Sequence, residues 1–233
     1  MSQPALVCLP FAGAGASFYR PWSSDAYRSS LRVVPLQLPG RERRIGEEPY
    51  RDVHAAVDEL VGQLPGALEG AERVVLFGHS LGAVLAYELA ARLVGVSGIE
   101  VVRVFVSGSP PPDAPRRQRA TGLPDDEFLA AVREFAGYHH AAMDDPEVRE
   151  LILPTLRADI QMHEDYRPGT RDPLPVPVTV LRGTGDKLVA AQEAMGWAKF
   201  TGRDFGYAEL AGGHMYLVES SAPLLRLIER AVR

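Results

Sequence analysis

Gly78-His79-Ser80-Leu81-Gly82 sets a serine between two glycines in a G-x-S-x-G pentapeptide. Glycine on both sides lets the chain turn sharply, so that the hydroxyl can stand exposed between a strand and a helix. A serine hydroxyl is a weak nucleophile until a base takes its proton, and the base needs an acid to hold its tautomer. Asp186 in VTVLRGTGD and His214 in LAGGHMY supply an acid and a base in the order serine, acid, histidine. The chemistry of such a trio is acyl transfer through an acyl-serine, and its oxyanion needs two N–H donors. One is the amide of Leu81, at a helix start with its positive partial charge. By position the other is the amide of Ala12, in the small-residue loop Leu9-Pro10-Phe11-Ala12-Gly13-Ala14-Gly15. That loop also invites comparison with a dinucleotide fingerprint. The comparison fails, because Phe18 stands where the third glycine belongs and the next strand ends in Gln37 rather than an acid.

These residues need a scaffold. Short apolar runs at 5–9, 32–38, 73–77, 101–107, 176–182 and 205–210 alternate with helix-period segments at 52–68, 81–94, 190–200 and 221–232. Continuous rather than alternating hydrophobicity predicts strands buried on both faces, hence a mostly parallel sheet flanked by helices. Ser80, Asp186 and His214 then all fall just beyond carboxyl ends of strands, where open α/β sheets build their sites. The alternation breaks between 110 and 175, where only helices are predicted. One starts at Pro124 and ends at Gly137, with Phe128, Leu129, Val132 and Phe135 on its apolar face. A second opens at Asp145-Pro146 and runs to about Tyr166, with a kink expected at Pro154. The expected division is a core of 1–109 and 176–233, with 110–175 as an insertion, either a small subdomain or a lid. Phe128, Phe135, Met143 and Leu156, with Val132, Leu151 and Met162, offer apolar surface for a substrate channel.

Composition narrows the classes. The chain has 233 residues with 25 Lys+Arg against 30 Asp+Glu, a net charge of −5 that disfavours general nucleic-acid binding. Its single cysteine, Cys8, forbids an internal disulfide and fits a reducing compartment. No basic leader and no long apolar span are read, so the expectation is a cytoplasmic monomer without membrane contact. His79 is expected to pack under the serine turn, and His54 to lie on a polar helix face. His139-His140 with Asp144-Asp145 superficially suggests a metal cluster, but adjacent helical residues do not share a face, so no metal is assigned. Two arginine groups, Arg41-Arg43-Arg44 and Arg116-Arg117-Arg119, are candidate surfaces for an acidic partner, the second preferred.

LPFAGAG (9–15), PGRERR (39–44), GHSLG (78–82), LPTLRAD (153–159), GTGD (183–186) and GGHMYL (212–217) occur in that order along the chain. In these segments it resembles the type II thioesterases of polyketide and nonribosomal-peptide assembly lines, which have the α/β-hydrolase fold. LPTLRAD and PGR are the discriminating pieces. AGAG replaces the usual AGG, and Leu81 stands where methionine is frequent. The resemblance implies Ser80, Asp186 and His214 as triad, Ala12 and Leu81 as oxyanion amides, 110–175 as lid, and no cofactor. It also implies a partner, an acyl or peptidyl carrier protein whose phosphopantetheine arm brings the thioester. An esterase, an acyltransferase or a peptidase-like hydrolase would carry the same triad.

Overall fold

The computed structural model describes residues 3–23, 30–115, 119–136 and 145–232, with Phe135 and Ala136 described by backbone alone. Six strands form one sheet: β1 (Ala5–Leu9), β2 (Arg32–Pro35), β3 (Arg73–His79), β4 (Glu100–Ser107), β5 (Val178–Gly183) and β6 (Phe205–Leu210). Their order is β2-β1-β3-β4-β5-β6, and every pairing is parallel. The predicted strands all form. The second is shorter, ending at Pro35, because proline has no N–H for a ladder. The third runs on to His79, carrying β-structure up to the serine.

Successive residues in a strand point to opposite faces, and here both faces are apolar. Ala5, Val7, Leu9, Val74 and Leu76 pack on one side against α1 (Val53–Leu68) and α2 (Leu81–Leu93). Leu6, Cys8, Val75 and Phe77 pack on the other, against a 3-10 segment at Ala16–Ser23 and against α6 (Ser221–Ala231). This is why the strands read as unbroken apolar runs. The predicted helix at 190–200 is only one α-turn, α5 (Ala191–Ala194), followed by a 3-10 segment at Met195–Phe200. Trp197 of that segment is fully buried, edge-on to Tyr87 and Phe200, and its indole N–H donates to the Ser109 carbonyl at 2.9 Å.

Between β4 and β5 lie α3 (Asp125–Ala136) and α4 (Pro146–Asp165), and no strand among the described residues. Asp145 caps α4, accepting from the amides of Glu147 and Val148, with Pro146 at the first helical position where its missing N–H costs nothing. As expected, Pro154 lies inside the helix, which runs on past it to Asp165. The two helices share a small core of Phe128, Leu129, Leu153 and Leu156.

The chain first adds β2 on one side of β1 and then returns to add β3 on the other. Connections leave β1 and β3 in opposite directions, which opens a crevice at their carboxyl ends. Both the loop after β1 and the serine after β3 border that crevice.

Removing the buried indole is expected to leave a large cavity under α2. Trp197→Ala should cost about 3–5 kcal/mol. For a chain of this size that lowers the thermal midpoint by roughly 6–20 °C in a melt followed by circular dichroism.

Candidate active site

Ser80 sits between β3 and α2 with φ 53° and ψ −117°, and its amide donates to the Ser107 carbonyl at 2.8 Å. A non-glycine residue held there costs on the order of 1–3 kcal/mol and persists only where the surroundings dictate it. They do so through the flanking glycines. A side chain on Gly78 would run into the Gly82 carbonyl. One on Gly82 would lie 2.6 Å from the Leu9 carbonyl oxygen and 2.9 Å from that of Pro10. The serine turn is therefore pressed directly against the loop that carries Ala12. Leu81, first residue of α2, has an amide with no acceptor inside the helix.

The Asp186 carboxylate meets His214 through Nδ1–H, donated to Oδ2 at 2.9 Å. Its other oxygen accepts the amides of Leu188 at 2.8 Å and Val189 at 3.2 Å. Burial by itself would raise this carboxyl's pKa, but the hydrogen bond and charge of His214 and those two amides outweigh it and hold it below the usual value. The loop after β5 and the loop after β6 are tied together. Thr184 N donates to the Leu210 carbonyl and Gly185 N to that of Gly212, both at 2.8 Å. A side chain on Gly183 would strike the carbonyls of Gly212 and Gly213, so glycine here serves close contact.

His79, expected under the turn, is fully buried, with its ring centroid 4.8 Å from that of His214. Its Nδ1 meets Ser107 Oγ at 2.9 Å, and that hydroxyl meets Tyr216 OH at 2.7 Å. Burial, then the nearby His214 and His163, push its pKa well below the usual imidazole value, so it stays neutral. Gly108, at φ 54°, leaves room for both imidazoles.

Ser80, His214 and Ala12 line one cavity of about 350 Å³, walled on the α3–α4 side by Val132, Leu156 and Ile160. The structure thus brings Ser80, His214 and Ala12 to one space, with Leu81 and Asp186 directly behind. No group of His, Cys, Asp or Glu suited to a metal ion occurs among the described residues. His139, His140 and Asp144 lie outside the described residues, as do Met143 and the Phe135 side chain.

Several expectations are corrected. Leu156 lines the cavity, but Phe128 does not: it is buried between α3 and α4, beneath the Arg157 guanidinium at 4.3 Å. Met162 belongs to the main core, and Leu151 is exposed. Arg41 is no surface cation. It is 5% exposed and paired with the fully buried Asp159 of α4. Arg44 is paired with Glu47 and Glu59, which removes most of that cluster's free charge. Of the other cluster, Arg119 pairs with Asp165, and Arg116 and Arg117 lie outside the described residues. Asp159 is the residue that sequence reasoning passed over. Its signal was a charge on the apolar stripe shared with Thr155, Leu156 and Met162.

A parallel sheet whose third strand delivers a serine on a strained turn, with an Asp–His pair on the loops after its last two strands, defines an α/β-hydrolase. Within that class the chain belongs to the thioesterase family, since the thioesterase domain model matches residues 4–232. It is an enzyme acting on thioester bonds. It is similar to the gramicidin S biosynthesis protein GrsT of Aneurinibacillus migulanus, 31% identical over 229 residues, covering 98% of this chain and 88% of that one. Among solved structures, the RedJ thioesterase from the prodiginine pathway of Streptomyces coelicolor superposes with TM-score 0.87 at 30% identity, over 99% of this chain and 91% of that one. YbtT, a type II thioesterase from the yersiniabactin NRPS/PKS pathway, gives 0.88 at 26% identity, over 99% and 93%.

A histidine kept neutral in the fold but free to charge when unfolded makes stability rise with pH between its two pKa values. The contribution of His79 is complete above its unfolded pKa of about 6.5 and is lost as pH falls below it. Between pH 7 and pH 5 the parent should lose about 2 kcal/mol more than His79→Gln, by urea unfolding at both pH values. Equal losses in the two proteins would show that His79 takes up its proton in the folded chain as readily as in the unfolded one.

Proposed function

We propose that this chain hydrolyses acyl groups from the phosphopantetheine arm of acyl or peptidyl carrier proteins through an acyl-Ser80 intermediate. The observation that carries this is the shared cavity. Ser80 is held by strained backbone, the His214 imidazole is oriented by Asp186, and an apolar wall rises from α4 opposite them. The relatives add the context, being proteins of gramicidin S biosynthesis and type II thioesterases of NRPS/PKS pathways.

His214 Nε2 takes the Ser80 proton as Oγ attacks the thioester carbonyl. The tetrahedral oxyanion is received by the amides of Ala12 and Leu81, which are preorganised and need no reorientation. The C–S bond breaks, and the thiol leaves with the proton from His214. Water enters, the same imidazole deprotonates it, and collapse of the second tetrahedral species frees the acid and restores Ser80. Asp186 stays ionised throughout and stabilises the imidazolium formed twice per cycle.

Residues 110–175 act as a lid over this cavity in our reading. The acyl chain runs along Val132, Leu156 and Ile160, and the pantetheine thiol leaves at the polar rim, where Lys187 and Glu193 stand. A wall of aliphatic side chains separates neighbouring chain lengths by only about 1–3 kcal/mol per methylene, which suits an enzyme of broad acyl tolerance.

Ser80→Ala is expected to lower turnover of an acyl carrier-protein thioester by about 10⁴-fold without unfolding the chain. A serine-directed phosphonate should leave one adduct, on Ser80 and not on the buried Ser107 or Ser109, by peptide mass spectrometry. Retention of activity within tenfold would discard the mechanism. Comparing one acyl group as thioester, ester and amide separates this reading from an esterase or peptidase-like enzyme.

Val132→Phe should fill part of the apolar wall. Hydrolysis of long acyl thioesters is then expected to fall by about 10–200-fold while an acetyl thioester is spared. Equal losses on both would make Val132 ordinary lid core.

A further inference from the structure

Loop 10–15 contains a turn in which Ala14 N donates to the Phe11 carbonyl at 2.9 Å, with Gly13 at φ 76°. A positive φ at the third residue of a turn is what type II turns require, and it swings the Ala12–Gly13 peptide out of the turn plane. The Gly13 N–H therefore leaves the turn and needs an acceptor elsewhere. It finds one in Asp159 Oδ2, at 2.8 Å and 146 residues away on α4.

Asp159 is fully buried and is held on both oxygens. Arg41 Nη1 donates to Oδ2 at 2.7 Å and Nη2 to Oδ1 at 2.8 Å. The guanidinium has donors to spare, and one of them reaches the same loop while another holds the arginine's own segment. Nη1 also donates to the Ala14 carbonyl at 3.0 Å, and Nε to that of Pro39 at 3.1 Å. Around the pair, Thr155 Oγ1 donates to the Gly40 carbonyl at 2.5 Å, and a side chain on Gly13 would lie 3.2 Å from Leu156 Cδ1. One buried ion pair thus grips the amide of residue 13 and the carbonyl of residue 14, and anchors both to α4.

We infer that Arg41 and Asp159 are positioning residues that set the direction of the Ala12 amide through the peptide that follows it, and so make α4 and the oxyanion site one mechanical unit. This rests on the reading of Ser80 and Ala12 given above. A buried pair kept only for stability could be exchanged for apolar side chains at little or no loss, as buried ion pairs in general can. A pair kept for the direction of an amide cannot. The acceptor for Gly13 N–H is the part that matters to catalysis, and the charge is the part that matters to the fold.

Three variants separate the two roles, assayed with a small acyl-cysteamine thioester, with thermal melts to confirm folding. Arg41→Met/Asp159→Leu removes charge and acceptor together. Its kcat is expected to fall by about 10²-fold, the size of one lost oxyanion donor. KM should stay within about threefold, and an alkyl boronic acid that forms a tetrahedral adduct on Ser80 should bind about 10²-fold more weakly. Arg41→Met/Asp159→Asn keeps an acceptor oxygen and should recover at least about tenfold of the lost kcat. Asp159→Asn alone should melt at lower temperature yet stay within about tenfold of the parent kcat, which keeps the test alive if the leucine variant does not fold. A leucine variant within threefold of the parent kcat, a loss confined to KM, or equal impairment of the leucine and asparagine double variants overturns the inference. So does a folded Asp159→Asn that has lost 10²-fold in kcat. A parent that neither hydrolyses the thioester nor takes a phosphonate on Ser80 overturns the Ser80 reading, and the inference with it. A labelled and active parent with an unimpaired leucine variant overturns the inference alone.

Discussion

The backbone of the serine turn touches the backbone of the loop after β1, with nothing between Gly82 and the carbonyls of Leu9 and Pro10. That approach sets where α2 starts, how sharply the chain bends after β3, and hence the positive φ of Ser80. It is possible because β1 and β3 are neighbours in register, Leu9 opposite Gly78. A side chain on Gly82 would push the serine turn away from the loop after β1, and one on Gly78 would push the start of α2 away from the end of β3. Everything else in the site is arranged around this contact.

The costs of the arrangement are local, and the core offsets them. Ser80 is strained, Asp186 and His214 are buried, and His79 is held neutral beneath them. Two amides and the His214 ring meet Asp186, and a hydroxyl chain through Ser107 to Tyr216 meets His79 Nδ1. Two apolar layers on the faces of the sheet give this cluster a rigid floor. The same floor holds the loops after β5 and β6 together through glycine contacts.

The helices over the cavity are attached by charge as much as by apolar surface. Asp159 meets Arg41 near the middle of α4, and near its end Glu164 accepts the amides of Ala120 and Thr121. Tyr166 and Gly169 then donate to the buried Glu88 of α2, the helix that begins at the serine. The LPTLRAD segment has a physical account in these contacts. Thr155 holds the Gly40 turn, Leu156 reaches the cavity, Arg157 covers Phe128 and pairs with Asp125, and Asp159 takes Gly13 and Arg41.

Local patterning alone determined the six strands, the helices flanking them and the residues 80, 186 and 214, because unbroken apolar runs and glycine-flanked reactive residues are properties of short segments. Boundaries moved where a proline or a bend intervened, as at Pro35 and after Ala194. Which apolar residues of 110–175 face a cavity was not legible. Phe128 and Leu156 look alike in the sequence, and only the crossing of α3 and α4 buries one and leaves the other at the wall. Arg41 reads as a surface charge among neighbours of its kind. Its partner lies 118 residues away, and a buried ion pair between distant segments exists only once the chain has brought both together and excluded water from them.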